Sequence, residues 1–232
     1  MKIAILLYDG YIALDMIGPY EILNRMPQAK VTFVAEKAGP VQSDTTMLTI
    51  MAEKSLAEMP KPDVVVIPGG FAGVEAAVKN QAILDWVRTT HDSAQRVVSV
   101  CTGALILGSA GLLRGKRATT HWYWRNRLAT YGAEYVPERF VDAGKITTAA
   151  GVTAGIDAAL RLAAELSGES VARTIQLGIE YDPKPPFNSG SLQTASLDIV
   201  KLAELGFQLE FTKERLRTAV NAVRFIARGN GK

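Results

Sequence analysis

Short runs of apolar residues alternate along this chain with segments in which apolar residues recur every three or four positions. The runs at 2–8, 63–70 and 96–100 are rich in Val, Ile and Leu, which predicts short buried strands. The segments at 13–26 and 80–94 have helical spacing. Continuous apolar strands separated by helices predict an α/β fold, with a mostly parallel sheet covered by helices on both faces.

The same alternation continues through the second half of the chain. It predicts a strand at 30–36, a helix at 102–113, a short strand at 116–121, a helix at 122–132, a hairpin within 138–151 and a helix of small residues at 153–168. A proline-rich loop, "DPKPPFNSGS", precedes an amphipathic helical tail. We therefore predict a main domain over residues 1–191 and a C-terminal helical extension over residues 192–232.

Composition narrows the class of protein. The 232 residues suffice for a sizeable buried core, and the formal net charge is only +3, from 26 Lys and Arg against 23 Asp and Glu. Such a small excess gives no reason to expect nucleic-acid binding. No apolar run is long enough to span a membrane, and the N-terminus lacks a signal-peptide pattern. A single cysteine excludes an intrachain disulfide framework, so we expect a cytoplasmic protein.

That cysteine, Cys101, lies where the strand "RVVSV" meets the following helix. Ser99 lies two residues before it and Gly103 two residues after it. Small residues at these positions are typical of a nucleophile elbow, a sharp strand-to-helix turn that presents a reactive side chain. The free N–H groups at a helix start favour a thiolate, so we expect a lowered pKa for Cys101. The alternative is that Cys101 is simply a small buried apolar residue.

Four motifs in this order resemble one known superfamily. They are "LDMIGPYEIL", "PGG" after a central strand, "VCTGALILGSAGLLRGKRATTHW" and "GVTAGIDAALRLAAEL". Together they resemble the ThiJ/PfpI superfamily, whose fold is that of class I glutamine amidotransferases. The segment "QLGIEYDPKPPFNSGS" makes the chain most similar to the isocyanide hydratases within it. The resemblance extends over about residues 2–191.

The resemblance implies a flavodoxin-like α/β sandwich, usually a homodimer, with its elbow at Cys101. It implies an enzyme that needs no cofactor and adds water to an isocyanide to give an N-substituted formamide. A Cys101 thiolate would attack the isocyanide carbon and form a thioimidate, which water would then hydrolyse. No metal is expected, because two histidines and one cysteine do not form a ligand cluster.

The same resemblance singles out an acid. Asp15 matches the acidic residue of the family motif LD-x-x-GP and is our candidate general acid and base. Packed beside the thiol and shielded from water, its carboxyl group should have a raised pKa. The alternative is that Asp15 caps the helix that follows it, since Asp is a favoured N-cap residue.

Further candidates surround the elbow. The backbone N–H of Thr102, with that of Gly70 or Phe71 after "PGG", is a candidate anion hole. The alternatives are an ordinary helix start for Thr102 and a tight turn for the glycines. Many superfamily members carry His directly after the nucleophile, whereas this chain has Thr102 there, which argues against peptidase chemistry. His121 is either a pocket residue or a hydrogen-bonded structural histidine.

Two other functions remain open from the sequence. One is a glyoxalase or deglycase of the same superfamily, acting on glyoxal-type carbonyls. The other is a non-catalytic sensor domain, because similar domains occur in AraC-type transcription regulators. A redox-sensing role for Cys101 is a further possibility. We favour the isocyanide hydratase, with an isocyanide as substrate and neither nucleic acid nor membrane as a partner.

Overall fold

The structure is a computed structural model that describes the backbone of residues 1–229 and the side chains of residues 1–213. It divides into two units, Met1–Pro183 and Lys184–Lys232. The first unit contains every strand and the predicted elbow. The second contains one long helix. The domain boundary that we expect at residue 191 stays a prediction.

The strands in the described part of the chain are β1 (Lys2–Leu6), β2 (Lys30–Ala35), β3 (Gly39–Gln42), β4 (Thr49–Ala52), β5 (Lys54–Ser55), β6 (Val64–Ile67), β7 (Arg96–Val100), β8 (Arg117–Ala118), β9 (Glu134–Tyr135), β10 (Phe140–Ala143) and β11 (Ile146–Ala149). Seven of them form a sheet at the centre of the first unit, in the order β10-β11-β7-β6-β1-β2-β5. All neighbouring pairs in this sheet are parallel except β10 and β11.

Helices surround this sheet. They are α1 (Ala13–Leu23), α2 (Gly73–Ala77), α3 (Gln81–Ser93), α4 (Gly103–Ser109), α5 (Arg125–Thr130), α6 (Ala154–Ser167) and α7 (Glu169–Gly178). The second unit contains α8 (Leu197–Gly229). Short 3₁₀ helices span Leu56–Glu58 and Trp122–Trp124. The mostly parallel sheet with helices around it confirms the predicted α/β class. No helix in the described part of the chain is long and apolar enough to cross a membrane.

The core lies in the central strands. Every residue of β6 and β11 is buried, as are all but the first residue of β1 and β7. Helix α6 packs closely on this core, as its small residues predict: a Cβ atom added to Gly155 would lie 3.0 Å from the side chain of Val100. Continuous apolar strands therefore indicate burial on both faces, as expected for parallel sheets.

Some elements differ from the sequence-based expectation. The helix after Cys101 ends at Ser109, and the strand expected at 116–121 is only β8, of two residues. The predicted hairpin is present as β10 and β11, with Gly144 at a φ of +69° in the turn. The antiparallel pair β3 and β4, and the parallel pair β8 and β9, were not predicted. These short strands lie outside the central sheet, where periodicity carries little information.

The order of the sheet determines where the candidate residues meet. Strands β7, β6 and β1 are neighbours and parallel, so their carboxyl ends lie side by side at one edge. Cys101 follows β7, the "PGG" segment follows β6, and the loop leading to Asp15 follows β1. Ligands of open α/β sheets bind at this edge.

Candidate active site

Cys101 occupies a left-handed backbone conformation between β7 and α4. Its φ is +57°, which is uncommon for a residue with a Cβ atom. Its N–H donates to the carbonyl of Ala149 at 3.0 Å, which continues the pairing of β7 with β11. Its carbonyl accepts a hydrogen bond from Oγ1 of Thr120 at 2.8 Å. Residues 99–103 thus form a sharp strand-to-helix turn, which we call the elbow.

The small residue at position 103 is required by close packing. A Cβ atom added to Gly103 would lie 2.2 Å from the carbonyl oxygen of Ile67, at the end of the neighbouring strand. Any side chain there would push α4 away from β6. On the other side of the turn, Ser99 is fully buried. Close packing against β6 therefore explains why the residue two positions after Cys101 is a glycine.

Asp15 lies beside the elbow but reaches it from a different element. It is the third residue of α1, whose N-cap is Ile12, so the helix-capping alternative is wrong. The side chain is fully buried, and Oδ2 accepts a hydrogen bond from the N–H of Gly69 at 2.8 Å. Oδ1 has no hydrogen-bond partner among the described atoms. The carboxyl group also interacts with the thiol of Cys101.

Burial sets the protonation of this carboxyl group. Loss of hydration raises the pKa of Asp15 from 3.8 to about 7, although hydrogen bonds from Gly69 and Cys101 act in the opposite direction. The direction agrees with the sequence-based prediction. Close to neutral pH, Asp15 therefore exchanges between its acid and its base form, as a group that both donates and accepts protons must.

The pKa of the Cys101 thiol differs from our expectation. Cys101 is only 1% exposed, and burial raises its pKa well above the ordinary value. The negative charge of Asp15 raises it further, and hydrogen bonds from Thr102 lower it only in part. The predicted lowering is therefore wrong, because desolvation outweighs the helix start. The first proton lost on raising the pH leaves Asp15, and the sulfur stays a thiol.

Thr102 connects the elbow to the "PGG" segment. Its Oγ1 accepts from the N–H of Gly70 at 2.9 Å and donates to the carbonyl of Gly70 at 2.9 Å. Its backbone N–H also acts on the Cys101 thiol and lowers the pKa of that thiol, against the effect of burial. The Gly70 N–H predicted for an anion hole is thus occupied by a hydroxyl group in this structure. The role of these N–H groups stays a prediction.

Gly69 is the point at which these groups converge. A Cβ atom added there would lie 2.6 Å from Oγ1 of Thr102, 2.7 Å from its backbone nitrogen and 2.8 Å from Oδ2 of Asp15. The absence of a side chain allows the acid and the elbow to approach each other through the backbone of Gly69. The sequence suggested only a tight turn or an anion hole at this glycine pair.

Phe71 and His121 belong to an aromatic cluster. The ring of Phe71 contacts Trp124 edge-on, with centroids 5.2 Å apart. The ring of His121 stacks on Trp122 at 5.6 Å, and its Nδ1 accepts from the N–H of Tyr123 at 3.3 Å. Burial lowers the pKa of His121 to about 4, so its imidazole is neutral at physiological pH. These contacts favour the structural alternative for His121, whose pocket role stays a prediction.

Two buried residues near the site were missed from the sequence. Tyr8, just after β1, donates from its hydroxyl to the carbonyl of Pro68 at 2.9 Å. Burial, followed by the charges of Asp15 and Cys101, raises the pKa of Tyr8 well above its usual value. Thr120 holds the Cys101 carbonyl. A residue with a hydroxyl group at the end of the predicted strand 2–8 was the available signal for Tyr8, whereas no local pattern indicated Thr120.

The fold and the site define a class of protein: an α/β domain in which a buried cysteine at a strand-to-helix turn lies near a buried carboxyl group from helix α1. Within residues 1–213, no group of three or more His, Cys, Asp or Glu side chains is placed to hold a metal ion. Residues 1–165 match the model of the DJ-1/PfpI family. The chain belongs to this family.

Comparison with individual proteins refines the relationship. The isonitrile hydratase of Pseudomonas putida is 44% identical over 200 residues, which cover 86% of this chain and 87% of that enzyme. A crystal structure of a ThiJ/PfpI family protein from Pseudomonas syringae superposes with a TM-score of 0.85 and 39% identity, covering 91% of this chain and 87% of that one. Drosophila melanogaster DJ-1beta shares the fold, with a TM-score of 0.71 at 24% identity over 77% of this chain and 97% of its own.

Proposed function

We propose that this protein is an isocyanide hydratase, which converts an isocyanide and water to an N-substituted formamide. The observation that carries the proposal is the convergence at Gly69 of the buried Asp15 carboxyl group and the elbow that holds Cys101, where the two side chains shift each other's pKa. It is supported by the 44% identity to an isonitrile hydratase over most of both chains. The reaction needs a nucleophile and a proton carrier, and these two side chains supply both.

In the first half of the reaction, sulfur bonds to the terminal carbon of the isocyanide. Because the thiol is protonated at rest, ionised Asp15 takes its proton as the C–S bond forms. The same carboxyl group then delivers that proton to the isocyanide carbon. The product is a thioimidate, R–N=CH–S–Cys101, and no atom has been lost or gained beyond the substrate and the thiol. A carboxyl pKa of about 7 suits both transfers.

In the second half, water adds to the thioimidate carbon. Asp15 accepts a proton from the water as oxygen bonds to carbon and passes it to the nitrogen, which becomes N–H. The tetrahedral intermediate then collapses: the C–S bond breaks as the C=O bond forms, and the N-substituted formamide leaves. The proton lost by the hydroxyl group passes through Asp15 to the departing sulfur, which restores the resting thiol. Splitting hydration into addition and hydrolysis replaces one difficult step by two easier ones.

Thr102 is assigned a supporting role in this scheme. Its backbone N–H lowers the pKa of the Cys101 thiol and would stabilise negative charge on the sulfur as the C–S bond forms and breaks. The N–H of Gly70 can contribute to an anion hole only if it releases the Thr102 hydroxyl group. Phe71 and His121 are assigned to the pocket. No cofactor takes part in any step.

Mass spectrometry of the intact protein, quenched at intervals after mixing with an aryl isocyanide, tests the proposal. We expect a mass increase equal to one isocyanide, located on Cys101 and disappearing as formamide forms. The Cys101→Ala variant is the control and should show no adduct. Formamide production without an adduct would exclude covalent catalysis. Turnover of methylglyoxal in place of the isocyanide would favour the glyoxalase alternative.

A further inference from the structure

We propose that Thr120 is a positioning residue that holds Cys101 in its left-handed conformation and so aligns the sulfur for attack. This inference rests on the proposed function, because it assigns Thr120 to the same reaction. Thr120 contacts the backbone of Cys101. Its hydroxyl group donates to the Cys101 carbonyl at 2.8 Å, and the whole residue is buried.

The conformation of Cys101 needs such support. A φ of +57° is unfavourable for a residue with a Cβ atom and persists only where the surroundings impose it. One constraint is the hydrogen bond from the Cys101 N–H to Ala149. That bond fixes the nitrogen side of the residue, where the β7–β11 pairing ends. The bond from Thr120 fixes the carbonyl side, so the two constraints act on opposite ends of the strained residue.

The carbonyl of Cys101 lies outside the hydrogen bonding of the following helix. Helix α4 begins at Gly103, and the N–H of Leu105 bonds to the carbonyl of Thr102, one residue after Cys101. A buried carbonyl that loses its donor has an unfavourable free energy comparable to a lost hydrogen bond. Without the Thr120 hydroxyl, the peptide between Cys101 and Thr102 is therefore expected to rotate towards another donor.

The residue before Thr120 is anchored on strand β11. The N–H of Thr119 donates to Oγ1 of Thr148 at 2.9 Å, and Thr148 lies opposite Ser99 in the β7–β11 register. Strand β11 thus forms hydrogen bonds both to the elbow and to the segment that contains Thr120. Thr119 also provides a matched control, since it is fully buried and its hydroxyl group has no hydrogen-bond partner among the described atoms.

The experiment compares Thr120→Val with Thr120→Ser, Thr120→Ala and the control Thr119→Val. Serine keeps the hydroxyl group, whereas valine and alanine remove it. Steady-state kinetics with an aryl isocyanide give kcat and KM separately. Independently, protein labelled with ¹³C-cysteine gives NMR signals from one residue, since the chain has a single cysteine. The Cα and Cβ shifts of Cys101 report its backbone conformation whether or not the protein hydrates isocyanides.

We expect Thr120→Val to lower kcat about tenfold, the loss of one net hydrogen bond, with KM changed by less than about twofold. Its Cys101 signals should move or split. Thr120→Ser and Thr119→Val should retain wild-type signals and most of the activity. If Thr120→Val does not fold, comparing the kinetics and NMR signals of Thr120→Ser, which keeps the hydroxyl group, and Thr120→Ala, which lacks it, tests the positioning role.

Unchanged Cys101 signals in Thr120→Val or Thr120→Ala would overturn the positioning role, as would equal kinetic losses in Thr120→Ser and Thr120→Ala. A wild-type protein without hydratase activity would instead overturn the proposed function. In that case, the NMR comparison would still decide whether Thr120 holds the elbow.

Discussion

Two strand-to-helix junctions build the candidate site, and they do so in different ways. After β7, the chain enters α4 through two residues, and the backbone of Cys101 is strained at a φ of +57°. After β1, the chain runs through residues 7–12 before α1 begins, and Asp15 is the third residue of that helix. The first junction positions its functional group by backbone geometry. The second does so by one side-chain hydrogen bond to Gly69.

The two junctions also differ in how far apart in the sequence the residues that determine them lie. The Cys101 junction depends on small neighbours two residues away in the chain, so its pattern can be read from the sequence. The Asp15 junction depends on Gly69, 54 residues further along, whose missing side chain lets the carboxyl group approach. Because the two junctions are built differently, substitutions at Cys101, at Asp15 and at Gly69 should have different effects.

Loss of the sulfur should have the largest effect. Cys101→Ser should reduce kcat for isocyanide hydration by about 10⁴-fold or more, because a hydroxyl group is a much weaker nucleophile at neutral pH. Formamide release measured by chromatography gives the rate. Ser99→Ala removes a buried hydroxyl group without a hydrogen-bond partner from the same strand and should be close to wild type. Retained turnover in Cys101→Ser would contradict the role of the β7 junction.

Loss of the carboxyl group should have the next largest effect on rate. Asp15→Asn keeps the size of the side chain and an oxygen for the Gly69 N–H, but it cannot carry a proton. We expect kcat to fall about 10³-fold, within the range for general acid–base catalysis. Circular dichroism would confirm that the fold is intact. Near-normal turnover in the folded variant would remove Asp15 from the mechanism.

The protonation of Asp15 should also affect stability. Since its pKa is raised from 3.8 to about 7, the folded state holds this proton more tightly than the unfolded state. The contribution of this protonation to the free energy of unfolding is therefore fully present below pH 4 and is lost as the pH rises to about 7. At 1.36 kcal/mol per pKa unit, the contribution amounts to up to about 4 kcal/mol.

Urea unfolding of wild type and Asp15→Asn at pH 4 and pH 8 measures this linkage. The variant should gain stability relative to wild type on going from pH 4 to pH 8, because asparagine does not ionise. Other titrating groups cancel in the difference between the two proteins. An identical difference at both pH values would mean that the carboxyl group is not shielded from water as described.

The smallest of the four effects is expected at the contact between the two junctions. Gly69→Ala would place a Cβ atom 2.7 Å from the backbone nitrogen of Thr102, so we expect a loss of about 2 kcal/mol in the free energy of unfolding. Gly178→Ala is the matched control, since an added Cβ atom there meets no atom within 4 Å. Equal stability of the two variants would contradict the close approach at Gly69.

Much of the fold could be predicted because buried parallel strands are continuous apolar runs. Strand β7 was predicted with its bounds, and β1, β2 and β6 to within a few residues. The pair β3–β4 and the strand β9 were missed, because short strands outside the central sheet carry no such run. The elbow was visible from the spacing around Cys101.

The remainder of the site could not be read in the same way. Asp15 was found only through a family motif, since its contact with Gly69 joins distant parts of the chain. Thr120 gave no signal, because its partner is a backbone carbonyl rather than a side chain. The pKa of Cys101 was predicted in the wrong direction, since local pattern shows a helix start but not how completely the sulfur is shielded from water.

The raised pKa of Cys101 has a consequence for the durability of the protein. Peroxide oxidises thiolates to sulfenic acid, and the neutral thiol reacts far more slowly. A sulfur that is 1% exposed and protonated at rest is therefore a poor peroxide sensor. The Cys101 thiol should therefore survive aerobic handling without added reductant.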